Sequence, residues 1–419
     1  MCWKEPSSSN RRRIRFRTQT GREDLICRDP LPQPELRGVH ATTGFNKNPR
    51  IINDSCAPTA DRNMQISIFP SLDNNFSIDR YARELARNFP PGVDATKVRF
   101  ERSAGLWSKV IDGHLRYSSV ARKAQADYNI IVSEMYAFLL LVLDKKRTIV
   151  VCHDLHPLLD KSPVKSLWRR LRIKSYQWRF RINLRLMKDA AFIVTVSRNT
   201  RKELLNFCPF IRSEKVVALH SGLESRWKTL NDEEALADAR RKYGLTNKRV
   251  VFHLGNDNWY KNFGSLLRAF AVLQDPSLVL LKVGDIGPVN KQLIFNLGIA
   301  HRVLRVESAS DQELVLLYNL SDVLVFPSSH EGFGWPPLEA MACGCPVITT
   351  KNASLPEVCG DACLYVEPFD ISGIAGAIRE LLANSSLRAE LIVKGKRQAE
   401  RFSWRNTTSG MLELIRANC

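Results

Sequence analysis

The segment from Asp322 to Thr349 constrains the fold more tightly than any other part of the chain. Asp322-Val323-Leu324-Val325-Phe326-Pro327 is a short apolar run closed by a proline, the pattern of a buried strand. Ser328-Ser329-His330-Glu331-Gly332-Phe333-Gly334 follows as a glycine-containing loop. Pro336 and Pro337 suit a first helical turn, where the missing N–H costs no intrahelical bond. Gly344 stands where a helix end wants positive φ, and Cys345-Pro346-Val347-Ile348-Thr349 starts another strand. The unit is strand, loop, short helix, strand. Gly332 and Gly334 let backbone approach a ligand closely, and amides at a helix N-terminus make an anion site. Glu331 and Glu339 flank that site with seven residues between them. Carboxylates there would repel phosphate, so both are expected to accept hydrogen bonds from hydroxyls. A ligand with phosphate in its middle and hydroxyl-rich groups at both ends fits, and a nucleotide sugar is such a ligand.

The remaining chain, 419 residues in all, alternates strands with helices, which predicts an α/β fold with parallel, doubly wound sheets. Residues 64–227 read as a first Rossmann-like domain. Its strands are expected at Gln65–Phe69, Lys97–Phe100, Tyr128–Ile131, Ile149–Cys152, Phe192–Val196 and Val216–Leu219. A helix after the first strand carries Ile78, Tyr81, Leu85 and Phe89 on one side, and the apolar run Met135 to Leu143 reads as a buried helix. Residues 228–401 read as a second such domain, with strands at Arg249–Leu254, Leu278–Val283, Val303–Val306, Val323–Phe326 and Cys363–Val366. A closing helix spans 402–419. Residues 1–63 hold the run Arg11-Arg12-Arg13-Ile14-Arg15-Phe16-Arg17 and scattered prolines, and read as a poorly ordered basic extension.

The phrase Glu331-Gly-Phe-Gly-Trp-Pro-Pro-Leu-Glu339-Ala-Met-Ala-Cys-Gly-Cys-Pro-Val resembles the E-x7-E signature of retaining glycosyltransferases of the GT-B fold, family 4. The resemblance covers about residues 64–419 and is strongest over 323–366. It implies two Rossmann-like domains facing a cleft, with a C-terminal helix crossing back to the first. It also implies donor-binding roles. Glu331 would hold sugar hydroxyls near the reacting carbon, the amides of Gly332, Phe333 and Gly334 would face sugar and diphosphate, and Glu339 would accept from the ribose. Leu338 belongs to the same donor-binding set. The implied activity is transfer of a hexose from a nucleoside diphosphate sugar to a hydroxyl on a polysaccharide, lipid-linked oligosaccharide or glycolipid, with retained configuration. An inactive scaffold that binds nucleotide sugars is the alternative.

Ligands of open α/β sheets sit beyond the carboxyl ends of strands. Three further positions meet that test. Lys261 and Asn262, past the strand at 249–254, resemble the family's Lys-Asn pair, and Lys261 is placed to offset diphosphate charge. The family often has an arginine a few residues earlier; this chain has Asn256, Asp257 and Asn258. His153 ends another strand within His153-Asp154-Leu155-His156-Pro157, where the resemblance implies the acceptor side of the cleft. Ser77, in Asn74-Asn75-Phe76-Ser77, is an acceptor-side candidate or a helix cap. The sequence from His253 to Asn262 looks like that of some bacterial mannosyl- and other hexosyltransferases.

No metal site is expected. Cys343, Cys345, Cys359 and Cys363 have C-x-C and C-x3-C spacings rather than C-x2-C pairs, and no Asp-x-Asp occurs. No cofactor beyond the donor substrate is expected. A net charge of +19 implies an anionic partner. The segment 165–188 has nine basic residues and no acid, with Leu167, Leu171, Trp178, Ile182 and Leu186 along one helical face. That suits an anionic membrane surface. Nucleic acid ranks lower, as no nucleic-acid module accompanies the charge. No apolar run reaches bilayer-spanning length, and no apolar stretch follows the N-terminal arginines, so no secretory signal is expected. The ten cysteines read as reduced thiols. The expected location is the cytoplasm, peripheral to the membrane.

Overall fold

The computed structural model describes residues 63–73, 76–101, 111–159 and 167–418. The expectations for the basic arm, for Asn74 and Asn75, and for Lys165 and Ser166 lie outside the described residues.

Two six-stranded sheets, every pairing parallel, organise the chain. The first takes β1 (Met64–Phe69), β2 (Val93–Lys97), β3 (Tyr128–Ile131), β4 (Thr148–Cys152), β5 (Phe192–Thr195) and β6 (Val216–Ala218) in the order β2-β1-β3-β4-β5-β6. The second takes β7 (Arg249–Leu254), β8 (Leu278–Val283), β9 (Val303–Val306), β10 (Val323–Phe326), β11 (Val347–Thr350) and β12 (Leu364–Val366) in the order β12-β11-β10-β7-β8-β9. Each chain path reverses direction once, between β1 and β3 and between β7 and β10. A doubly wound sheet opens its ligand crevice at that point.

The strands are apolar runs because both sheet faces are covered. Along β4, Ile149 and Val151 enter one apolar cluster while Val150 and Cys152 enter another. Along β7, Val250 and Phe252 share the first cluster, while Val251 joins a third with Phe263, Leu280 and Ile374. The first cluster runs through both halves and includes Trp404, Met411 and Ile415 of the closing helix Trp404–Ala417. That helix returns to the first half: Thr408 Oγ1 donates to the Asn88 carbonyl at 2.8 Å, and the Trp404 and Tyr81 rings meet edge-on at 5.2 Å.

Element bounds and faces differ from expectation in places. The second strand is Val93–Lys97 rather than Lys97–Phe100. It is an edge strand whose residues alternate half-buried and exposed, so it carries no apolar run to read. The buried stretch Glu134–Leu141 is a 3-10 helix, capped by Ser133, whose hydroxyl accepts from the Met135 amide at 3.3 Å. The basic helix Leu167–Met187 packs through Phe180, Asn183, Leu184 and Met187, and Leu171 and Trp178 of the apolar face named above are exposed. The helix that follows β1 ends at Arg87, short of Phe89. No helix among the described residues is long and apolar enough to cross a membrane.

Candidate active site

Where the two sheets present the carboxyl ends of their strands, a cleft of ≈ 720 Å³ opens, lined from both halves. The segments after β1, β3 and β4 contribute Ser77, Glu134 and His153; those after β7, β8 and β10 contribute Lys261, Gly284, Glu331 and Glu339. That volume suits a ligand of nucleotide size.

The loop after β10 is built by hydroxyls. Ser354 Oγ donates to the carbonyls of Glu331 (2.9 Å) and Phe333 (2.7 Å), and Thr200 Oγ1 donates to that of Gly332 (3.2 Å). A trans peptide holds each C=O antiparallel to the next N–H. The amides of Gly332, Phe333 and Gly334 are therefore directed away from those hydroxyls, and all three residues line the cleft. Gly334 has φ of +110° and precedes the helix Trp335–Ala342, which ends ahead of Gly344 at φ +77°. Gly332 also meets a constraint within the chain. A Cβ there would lie 2.1 Å from the His153 carbonyl, so its close approach is to the first half of the chain.

Lys261 Nζ meets Glu331 Oε1 at 2.7 Å, with both side chains nearly buried, and lies 4.8 Å from the centre of the Phe326 ring. The expected phosphate cation and the expected sugar carboxylate are thus one ion pair in the cleft. His153 lines the opposite wall. Its Nε2 lies 2.8 Å from the Val132 carbonyl, which makes that nitrogen the donor and leaves Nδ1 as an acceptor. Burial lowers its pKa against the pull of Val132 and Asp154, so the ring is neutral. Ser77 lines the cleft from within the helix Phe76–Arg87, so it is not the cap.

Two donor-binding candidates, Asn262 and Leu338, lie outside the cleft lining. Asn262 is buried and its amide donates to the carbonyls of Pro327 (3.3 Å) and Pro368, while Oδ1 accepts from Ser265 Oγ at 2.7 Å. It adopts φ of +54° at the start of the helix Phe263–Val272 and holds that turn, outside the cleft lining. Leu338 is fully buried in the core.

Glu339 also differs from the free ribose acceptor expected. It is buried, with Oε1 taken by Arg80 Nη1 and Oε2 by the Tyr318 hydroxyl at 2.8 Å. Arg80, from the first half, also clamps Glu224 through Nε (2.7 Å) and Nη2, and its guanidinium lies over Trp335 (4.5 Å) and Trp227 (5.2 Å). Burial opposes its charge, but Glu339 and Glu224 outweigh burial and hold its pKa above the ordinary value. One weak sign of Arg80 was legible: it is the chain neighbour of Tyr81, which belongs to the helix's apolar stripe. Glu134 was also missed. It lines the cleft, and its Oε2 accepts the His153 amide at 3.0 Å.

Cys343, Cys345, Cys359 and Cys363 are buried free thiols. Among the described residues no three His, Cys, Asp or Glu side chains group as metal ligands.

The fold is that of the GT-B glycosyltransferases, two Rossmann-like halves that each present strand ends to a cleft. The family described as glycosyl transferases group 1 matches residues 237–398, within the second half of the chain. The chain is 29% identical over 279 residues to the serotype-specific mannosyltransferase WbdA of Escherichia coli, covering 64% of this chain and 33% of WbdA. It is 31% identical over 229 residues to the O-antigen chain mannosyltransferase B of Escherichia coli, covering 53% of this chain and 60% of that protein. It therefore spans about a third of the first relative's length and under two thirds of the second's. Among solved structures, Anabaena HepE in complex with UDP and glucose superposes with a TM-score of 0.68 at 17% identity, covering 84% of this chain and all of HepE. At that identity the likeness is one of fold.

Proposed function

We propose that this protein is a retaining glycosyltransferase that moves a hexose, mannose first among the candidates, from a nucleoside diphosphate sugar to a hydroxyl of a growing or lipid-linked glycan. The observation that carries the reading is the meeting, in one cleft, of the Lys261–Glu331 ion pair, three loop amides and His153. Lys261 and the amides of Gly332, Phe333 and Gly334 offset charge on the departing diphosphate. Glu331 accepts from donor sugar hydroxyls, and His153 Nδ1 accepts from the acceptor side. Glu339 retains acceptor capacity for the ribose, since an ionised carboxylate has about four lone-pair sites. The leaving phosphate oxygen takes the acceptor's proton as the acceptor attacks on the same face, so no protein nucleophile is required. No metal is assigned a role. The relatives' names, a serotype-specific mannosyltransferase and an O-antigen chain mannosyltransferase, support the sugar and the acceptor class.

The enzyme is proposed to work peripherally on an anionic, cytoplasmic membrane face. The exposed side of the helix Leu167–Met187 carries Trp168, Leu171 and Trp178 among Arg170, Arg172, Lys174 and Arg179.

The test is a panel of nucleoside diphosphate sugars in melting and transfer assays. One donor is expected to raise the melting temperature and support transfer. Glu331→Ala should slow transfer by about 100-fold or more with donor affinity nearly kept, and Lys261→Ala should weaken both. If no donor shifts the melt and both variants match the parent, the protein is a scaffold.

A further inference from the structure

Gly255 and Asn256 of the loop Gly255-Asn256-Asp257-Asn258 line the cleft, and the loop offers no second cation to meet a diphosphate there. Its single charge, Asp257, is negative and already engaged. Oδ2 accepts the Gly287 amide at 2.8 Å and Oδ1 accepts Asn290 Nδ2 at 2.6 Å.

Directly beneath that loop lies an ammonium with no role so far. Lys282, on β8, is fully buried. Its Nζ donates to the carbonyls of Gly255 and Val283 (the latter at 2.9 Å) and lies 5.3 Å from the centre of the Phe263 ring. No carboxylate forms an ion pair with it among the described residues. Burying a charge against neutral groups alone is costly. Its register partner on β7 is His253, whose Nε2 has no hydrogen-bond partner among the described residues. Fold stability alone would favour an apolar side chain at 282, as at most strand positions of this sheet.

Peptide geometry indicates what the ammonium does. With the Gly255 carbonyl drawn onto Lys282, the following N–H, that of Asn256, is directed the opposite way. Asn256 lines the cleft. Only glycines separate the ammonium from the cleft: Gly255 has φ of +141° and Gly284 of +106°. A Cβ on Gly284 would lie 2.4 Å from the Gly255 carbonyl oxygen and 3.4 Å from Lys282 Nζ.

We infer that Lys282 is a positioning residue for the donor's diphosphate, aiming the Asn256 amide at the anion and supplying from beneath the cleft floor the positive charge the loop lacks. This rests on the reading of the cleft as a nucleoside diphosphate sugar site. Burial lowers the Lys282 pKa to about 8; Asp257 and Asp285 pull it up, and Lys261 and Arg305 push it down. His253, held far below its ordinary value by burial and by Lys282, is neutral. A bound diphosphate favours the charged ammonium. Affinity is therefore full below about pH 8 and falls as pH rises through it.

The experiment is calorimetric titration of the parent and of Lys282→Met with UDP, GDP, uridine and guanosine, at several pH values either side of that limb. The parent should bind one diphosphate and show the alkaline fall. Lys282→Met should weaken that diphosphate about tenfold or more, leave the matching nucleoside within about twofold, and lose the alkaline fall. A parent that binds neither UDP nor GDP defeats the reading of the cleft itself. A parent that binds one without the alkaline fall overturns the inference even if the variant does not fold. So does a variant that matches the parent, or one that loses nucleoside and diphosphate equally.

Discussion

At the scale of single residues, Glu134 shows how the cleft stores a proton. Burial first, and then the Asp154 charge, pushes its carboxyl up to about 8, although the His153 amide donates to it. In the unfolded chain a glutamate titrates near about 4.3. Between those values the folded protein holds a proton that the unfolded chain has lost. Stability is therefore full below the unfolded value and falls as pH rises through about 8. Glu134→Gln keeps an acceptor for the His153 amide and has no proton to lose. Urea midpoints of the variant should stay level where the parent's decline, and above pH 8 the variant should be the more stable of the two. Equal slopes for the two proteins would remove the buried-acid account. Nothing local in the sequence marked Glu134. Its acidity comes from the packing of the strand β3 end against β4, which spacing along the chain does not encode.

At the scale of elements, the buried strands and the strand–loop–helix of 323–350 were legible because their patterns are set by local chemistry: apolar runs, paired prolines and a glycine after the helix. The helix Leu167–Met187 was legible as a helix, but its inner face was not. Apolar residues occur on both sides of it, so periodicity does not choose between them. Tertiary hydrogen bonding does: Asn183 Oδ1 accepts the Phe138 amide at 2.9 Å, which turns Phe180, Leu184 and Met187 inward. Asn262 poses a similar difficulty, since a buried asparagine that holds a turn has the same identity as one that holds a ligand. The inward turn leaves Trp168 (81% exposed) and Trp178 (63% exposed) among arginines and lysines. Replacing both by serine should leave the melting temperature unchanged and weaken binding to phosphatidylglycerol-containing vesicles by about tenfold, with the remaining binding sensitive to salt. Sedimentation of vesicles with each protein measures this. Unchanged binding, or equal binding to uncharged vesicles, would take this face out of the membrane reading.

At the scale of the whole molecule, the two halves are held together by charge as well as by shared core. Glu357, from the second half, accepts the amides of Arg198 (2.8 Å) and Asn199 (3.3 Å) at the start of the helix Arg198–Phe207 in the first. Across the cleft floor, Arg80 of the first half joins Glu339 of the second and Glu224 of the connecting segment. One guanidinium between two buried carboxylates is a cluster in which the arginine has no substitute. Arg80→Met keeps much of the side-chain volume between Trp227 and Trp335 but leaves Glu339 buried without a cation and Glu224 with only Arg226, 3.9 Å away. The expected loss is about 3–5 kcal/mol. Because the cluster spans the halves, the loss falls on their association as well as on either fold. The parent should unfold in urea in one transition, and Arg80→Met in two, the first at lower urea and weakened further as pH rises and the freed acids ionise. A conservative Arg80→Lys should restore part of the midpoint but not all of it, since an ammonium cannot pair two carboxylates in the forked geometry of Arg80. A single transition at the parent's midpoint for Arg80→Met would mean that the halves hold together through apolar contact alone.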